Sequence, residues 1–355
     1  METRLALPGK GTLEEATLAF LAECGMKVSR NNPRQYLARI GSMPDLEVVF
    51  QRAADIPSLV QDGDATLGIT GYDILAEHRG IAEDESDEND TDDDLILLER
   101  DLGYGNCRLI VAVPETWIDV STCADLWHLA GYYATHKGRG LRIATKYPIL
   151  TGAFLRQHGI THCKIITPHG ALEAAPLTDT ADLIVDLTET GTTLRENHLK
   201  LLDDGVVLRS QACLIANPHL LRQNEQALRL ASIMLELIEA RMQARNRSLL
   251  TAYLQSASAD EISRICDTLN ERLKSINTSF EFQVSHAEMS ASTEPGWYTI
   301  SGVVDVKGTA AELLEIVALL RSAGAIHIHV TPLTYRFTEE SKSVRTLRER
   351  LKRMH

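Results

Sequence analysis

Apolar positions along this chain fall into two rhythms: short continuous runs that mark strands, and three- or four-residue spacings that mark helices between them. Residues 4–7 read as a strand and Pro8-Gly9-Lys10-Gly11 as a turn. Thr12 then caps a helix over 13–23, with Glu15 at the capping-box position. Strands follow at 46–50 and 65–70, with helices at 56–59 and 72–77, an alternation that predicts an open, largely parallel sheet. A second series places strands at 109–113, 141–145, 164–166 and 183–186, and a helix over 148–158. After a strand at 212–216, Asn217 and Pro218 open one long helix. Its stripe of Leu230, Ile233, Met234, Leu237, Ile238 and Met242 reads as core or subunit interface. From 248 the order is strand 249–254, helix 260–273, strands 280–287 and 297–304, helix 310–322 and strand 325–330. That β-α-β-β-α-β order is ferredoxin-like, and a basic helical tail closes the chain at 345–353.

With 355 residues, two or three cores of ordinary size are expected. Hydrophobic content of 44% against 24% charged residues is that of a soluble globular protein. No apolar run reaches membrane-spanning length, and the first strand begins with no leader-like segment ahead of it. A cytoplasmic location is the expectation. The six cysteines are scattered without a Cys-x-x-Cys pair, so they read as reduced thiols rather than a disulfide framework. Net charge is −13, but residues 83–94 carry nine acids and no base. Without them 40 acids face 36 bases, so the acidity is largely one segment, read as a solvated loop. No basic stripe outside the tail suggests nucleic-acid binding.

The chemistry concentrates at residues 183–194, LIVDLTETGTTL. A buried strand ends in Asp186, passes Glu189, and turns through Thr190-Gly191-Thr192-Thr193 into a helix over 193–199. Glycine lets the backbone approach a phosphate, amides at a helix start point towards it, and threonine hydroxyls add donors. The acid can accept ribose hydroxyls. Cations stand at other strand ends: Lys10 between two glycines, Arg52 after 46–50, and Arg108 and Lys146 beside strands of the second series. Lys10 does not fit the Walker pattern. His158 and His162 beside Cys163 have metal-like spacing, but Gly159 and the expected helix end break their common face. No Ser-His-Asp arrangement is visible.

Several segments together resemble one family. They are Leu7-Pro8-Gly9-Lys10-Gly11, Asn32-Pro33-Arg34-Gln35-Tyr36, Phe50-Gln51-Arg52, Leu67-Gly68-Ile69-Thr70-Gly71-Tyr72-Asp73 and Asp101-Leu102-Gly103-Tyr104-Gly105. The stretch from Gly170-Ala171-Leu172-Glu173-Ala174-Ala175-Pro176 to Leu194 carries the likeness furthest. The chain resembles ATP phosphoribosyltransferase, the first enzyme of histidine biosynthesis, in its long form. It departs at Thr12, where many members have arginine, and at Asp179, where the signature usually has glycine.

The resemblance implies an α/β fold with two periplasmic-binding-protein-like lobes around an active-site cleft, and a ferredoxin-like regulatory domain. Lobe I would comprise 1–96 and 212–247, lobe II 97–211, the regulatory domain 248–337 and the basic tail 338–355. ATP and phosphoribosyl pyrophosphate would be the substrates, Mg²⁺ the cofactor and L-histidine an inhibitor, in a homo-oligomer, hexamer or dimer. Thr190, Gly191, Thr192 and Thr193 would hold the sugar 5′-phosphate, Asp186 the ribose hydroxyls, and Glu173 would support the loop. Lys10, Arg52 and Arg108 would face pyrophosphate or the ATP phosphates. Gly11, Glu189 and Leu194 enter the substrate set with their motifs. No metal ligand follows. A solute-binding protein, a salvage phosphoribosyltransferase and a non-catalytic regulatory paralogue compete, although the last would be expected to lose loop residues that are present here.

Overall fold

A computed structural model describes residues 2–30, 32, 35–80, 94–167, 172–256, 259–274, 282–286, 296–305 and 310–354. All of the expected acidic loop except Asp94 lies outside them, as do Pro33, Arg34, Gly170 and Ala171 of the quoted motifs. The described chain divides into two units, Met1–Leu235 with Lys342–His355, and Glu236–Ser341.

The first unit holds two lobes, each on its own sheet. Lobe I begins with β1 (Thr3–Pro8), α1 (Thr12–Glu23), β2 (Val28–Ser29), β3 (Leu37–Ile40) and β4 (Met43–Gln51). It continues through α2 (Ile56–Gln61), β5 (Leu67–Gly71), α3 (Tyr72–Arg79) and β6 (Ile96–Glu99). Lobe II follows with β7 (Cys107–Pro114), α4 (Cys123–His136), β8 (Leu141–Thr145), α5 (Pro148–Gln157), β9 (Cys163–Ile166), β10 (Leu183–Thr188), α6 (Thr192–Glu196) and β11 (Leu199–Ser210). The chain then returns to lobe I as β12 (Ala212–Ala216), α7 (Pro218–Gln223) and α8 (Glu225–Ala244).

The lobe I sheet has the order β2-β3-β4-β1-β5-β12-β6. Leu5, Ala6 and Leu7 on its central strand are fully buried, which is why that strand reads as a continuous apolar run. The lobe II sheet has the order β11-β7-β10-β8-β9. Its alternating residues fill two cores: Leu109, Val111 and Val185 on one face, Ile110, Ala112 and Ile184 on the other.

Several expectations are corrected. The sheets are mixed rather than largely parallel, because β12 runs antiparallel to β5 and β6, and β7 antiparallel to β10 and β11. Lobe I continues past position 96, because β6 hydrogen-bonds to β12. The cap of α1 is Gly11, without a side-chain cap bond. The strand through Asp186 runs on to Thr188, and α6 is five residues rather than seven, Leu199 already belonging to β11. The long helix after Asn217 is two, because the Asn224 side chain accepts the amides of Gln226 and Ala227 and starts a new one.

The second unit contains β13 (Arg247–Ser256), α9 (Ala259–Lys274), β14 (Phe282–His286), β15 (Gly296–Asp305), α10 (Ala310–Ser322) and β16 (His327–Pro332). Its sheet order β14-β15-β13-β16, all antiparallel, is the expected ferredoxin-like arrangement. The tail forms α11 (Lys342–Arg353) and rejoins the first unit. There Leu347 and Leu351 are buried, and Arg350 donates to the Leu97 carbonyl of edge strand β6 at 2.8 Å.

Candidate active site

The carboxyl end of β10 carries the loop. Asp186 lies opposite Ile110, and Thr188 opposite Arg108. Directly opposed residues of an antiparallel pair project to one face. Asp186, Thr188 and Arg108 therefore share the face whose core includes Ile110, Ala144, Leu172, Ile184 and Leu194. β8 runs parallel to β10, so Lys146, just past its end, reaches the same place. Burial, and then the charge of Glu173, push the Asp186 carboxyl above the ordinary carboxylate range; the Leu187 amide and Lys146 oppose them. Asp186, Glu173 and Lys146 thus form one electrostatic group, with a partly exposed carboxylate at its centre.

The loop beyond is built to turn. Gly191 caps α6 at φ +75°, a left-handed conformation that glycine adopts at little cost. Its amide donates to the Thr188 hydroxyl at 2.9 Å, and the Thr190 and Thr192 hydroxyls are 2.9 Å apart. Glu189, Thr190, Thr192 and Thr193 are exposed, and the first-turn amides of α6 have no intrahelical partner. The Leu194 side chain belongs to the core beneath the loop.

Lys10, Gly11 and Arg52 stand on lobe I. β1 and β4 are parallel with Pro8 opposite Gln51, and the Gly9 amide donates to the Gln51 carbonyl at 2.7 Å. Lys10 and Arg52 therefore leave adjacent strand ends. Both are exposed, and neither has an ion-pair partner among the described residues. No hydrogen bond or ion pair joins them to the Asp186 group there.

A contact between the lobes escaped the sequence reading. Tyr147, next to Lys146, donates its hydroxyl to Asp73 Oδ2 at 2.6 Å, and Ser210 Oγ donates to Asp73 Oδ1 at 2.6 Å. Burial, with the Asp73 charge, pushes the Tyr147 hydroxyl far up, and Asp186 adds to the shift. Tyr147 therefore links Asp73, in the first turn of α3 in lobe I, to the Asp186 group. Nearby, Glu77 of α3 accepts the Ile149 and Leu150 amides at 2.8 and 2.9 Å, placing a carboxylate at the start of α5. Asp73 lies inside a quoted motif, but nothing local marks Tyr147 or Ser210, which pair with it only through the fold.

Asp179 adopts a left-handed conformation, at φ +54°. Its side chain and carbonyl both accept from Arg142, at 2.6 and 2.7 Å. Arg142 and Arg139 converge on buried Asp182, and their hydrogen bonds hold its carboxyl well below the usual range despite burial.

Taken together, an acid in a sheet, a threonine-lined glycine turn and exposed cations at strand ends of the other lobe are groups that can hold a phosphorylated sugar and stabilise a departing anion. The family described as ATP phosphoribosyltransferase matches residues 52–242. A Brucella melitensis ATP phosphoribosyltransferase is 44% identical over 218 residues, 61% of this chain and 90% of that protein. The Arabidopsis thaliana chloroplastic ATP phosphoribosyltransferase 1 is 36% identical over 348 residues, 96% of this chain and 79% of that protein. Among solved structures, an ATP phosphoribosyl transferase (HisG:HisZ) complex from Thermotoga maritima aligns with 29% identity and a TM-score of 0.48, covering 67% of this chain and 98% of that one.

Proposed function

Since this chain belongs to the ATP phosphoribosyltransferase family, we propose that its two lobes divide one reaction between them. The reaction condenses ATP with phosphoribosyl pyrophosphate to N1-(5-phosphoribosyl)-ATP and pyrophosphate, the first step of histidine biosynthesis. It displaces pyrophosphate at the anomeric carbon through an oxocarbenium-like state, so the protein's work is alignment and charge stabilisation. Adenine N1 is a lone-pair nucleophile and needs no base.

The carrying observation is the convergence of Asp186, Glu173 and Lys146 beside the Thr190–Gly191 turn. In our reading Thr190, Gly191, Thr192 and Thr193 hold the 5′-phosphate, and the Leu194 amide completes the cradle. Asp186 takes the ribose hydroxyls. Arg108, opposite Thr188, borders the phosphate, while Lys10, Gly11 and Arg52 receive pyrophosphate or the ATP phosphates from lobe I. Glu189 is assigned to the rim.

The oxygen donors of Asp186 and of Glu173, whose charge disfavours ionisation of Asp186, suit a hard divalent cation such as Mg²⁺. Bound there with substrate, Mg²⁺ would neutralise charge on the leaving pyrophosphate. We further propose that the ferredoxin-like unit binds L-histidine and inhibits turnover, and that the chain acts as a homo-oligomer, hexamer or dimer. No helix among the described residues is long and apolar enough to cross a membrane. A cytoplasmic setting is proposed from the six free cysteines.

The test is turnover with ATP, phosphoribosyl pyrophosphate and Mg²⁺, following phosphoribosyl-ATP by absorbance. Product suppressed by histidine is the expected result. Uninhibited product removes the histidine proposal. Folded protein without product would favour a non-catalytic paralogue.

A further inference from the structure

Three side chains that the reaction does not use meet on the other face of the lobe II sheet. Cys123 is the first residue of α4, Asp204 lies in β11, and His158 follows the last turn of α5. One ligand atom from each lies within 4.8 Å of the other two. Cys123 and Phe154, the latter one turn before His158, belong to the core that contains Leu109 and Val185, opposite the face bearing Asp186.

The fold makes this meeting specific. β11 shifts register between Leu201 and Val206, and the extra residues carry Asp204 towards α4. The bulge is close-packed: a Cβ on Gly205 would lie 2.8 Å from Leu202 Cβ. Asp204 Oδ1 accepts the Cys123 amide at 2.7 Å, fixing the carboxylate beside the sulfur. His158 Nδ1 bonds the Phe154 carbonyl at 3.0 Å. A carbonyl only accepts, so Nδ1 carries the proton and Nε2 keeps the lone pair of the neutral ring. That carbonyl contact is the outer-shell orientation found on metal-binding histidines.

The geometry points to a binding site for a borderline-soft divalent cation of the zinc class, held by Cys123, His158 and Asp204. Ligands around tetrahedral zinc stand roughly 3.5 Å apart for bonds of about 2.0–2.3 Å, so the cluster closes by small side-chain movements. Binding breaks the Cys123 S–H bond, forms a metal–sulfur bond and releases the proton to water. Asp204 is exposed, which leaves the fourth position to water. A thiolate and an imidazole favour zinc over Mg²⁺, so this site is chemically distinct from the one beside Asp186. The cation would tie α4, α5 and β11 together behind the catalytic face.

The test uses the full-length protein, stripped with a chelator and kept reduced by a phosphine. Co²⁺ titration should give one equivalent with a thiolate-to-metal charge-transfer band in the near ultraviolet. Zn²⁺ should displace it and raise the unfolding midpoint. Cys123→Ser should abolish the band, and His158→Gln should weaken Zn²⁺ binding by roughly 100-fold or more, at least the loss seen on removing an outer-shell partner. Cys163→Ser should keep both, and Mg²⁺ should neither give the band nor compete. If Cys123→Ser does not fold without metal, His158→Gln, at a half-buried position, carries the comparison. Absence of the band in the parent protein, its persistence in Cys123→Ser, or unchanged Zn²⁺ affinity in His158→Gln would overturn the site.

Discussion

Burial and the Glu173 carboxylate favour the protonated form of Asp186, while the Leu187 amide and Lys146 favour the ionised form. The ionised form is the one that accepts ribose hydroxyls, so the acid limb of kcat/KM should follow this group. Glu173→Gln removes a like charge, lets Asp186 ionise at lower pH and moves that limb down. Lys146→Met moves it up. Opposite or absent movements in pH profiles of the two variants would contradict the assignment of the limb to Asp186. Asp179 invites a second substitution. A non-glycine residue at φ +54° carries about 1 kcal/mol of backbone strain, and the Asp179 carboxylate is highly exposed in its ion pair with the partly buried Arg142. Asp179→Gly should therefore leave stability unchanged or raise it by up to about 1 kcal/mol in denaturant unfolding. A loss of that size would show that the Arg142 contact outweighs the strain. The residues of the loop and Asp186 were legible because they are contiguous with an apolar strand. Tyr147 and Ser210 were not, because their meeting with Asp73 spans 74 and 137 positions.

Edge strand β6 is covered by α11, whose Leu347 and Leu351 are 1% and 8% exposed. Unpaired strand edges invite association, and a docked helix removes that liability. Leu347→Ala should cost about 2–4 kcal/mol of stability in lobe I and increase aggregation near the unfolding midpoint; an unchanged midpoint would mean that α11 is not held there. The tail was recognisable as a basic helix, but its two buried leucines gave no sign of their docking surface. Other elements were obscured for local reasons. β11 is interrupted by Asp203, Asp204 and Gly205, which mask its alternation until the bulge in its pairing with β7 is seen. α4 did have a signal: Thr122 and Asp125 form a complete capping box, a pattern readable from their three-residue spacing.

Across the whole molecule the chain leaves the catalytic unit within α8 and comes back at Lys342. A deletion of 248–355 therefore removes both the ferredoxin-like unit and the helix that covers β6, while a deletion of 342–355 removes only the latter. The shorter deletion should lower the unfolding midpoint of the catalytic unit yet leave turnover sensitive to histidine. The longer one should lose that sensitivity as well, and inhibition persisting in it would contradict the proposed regulatory role. The three-sheet organisation was readable from the changing rhythm of strands and helices. The return of the tail was not, since helix amphipathicity reveals that a face is buried and not against what.

The measurement that bears most directly on the account is phosphoribosyl pyrophosphate binding, by calorimetry with Mg²⁺, to the parent protein and to Thr190→Val and Gly191→Val. The parent should bind. Both variants should bind at least tenfold more weakly. Thr190→Val, at an exposed position, should keep an unfolding midpoint close to the parent's, while Gly191→Val, strained at φ +75° although no atom lies within 4 Å of a Cβ placed there, should unfold at a lower midpoint. Parent-like affinity in either folded variant would contradict the assignment of the sugar phosphate to this turn.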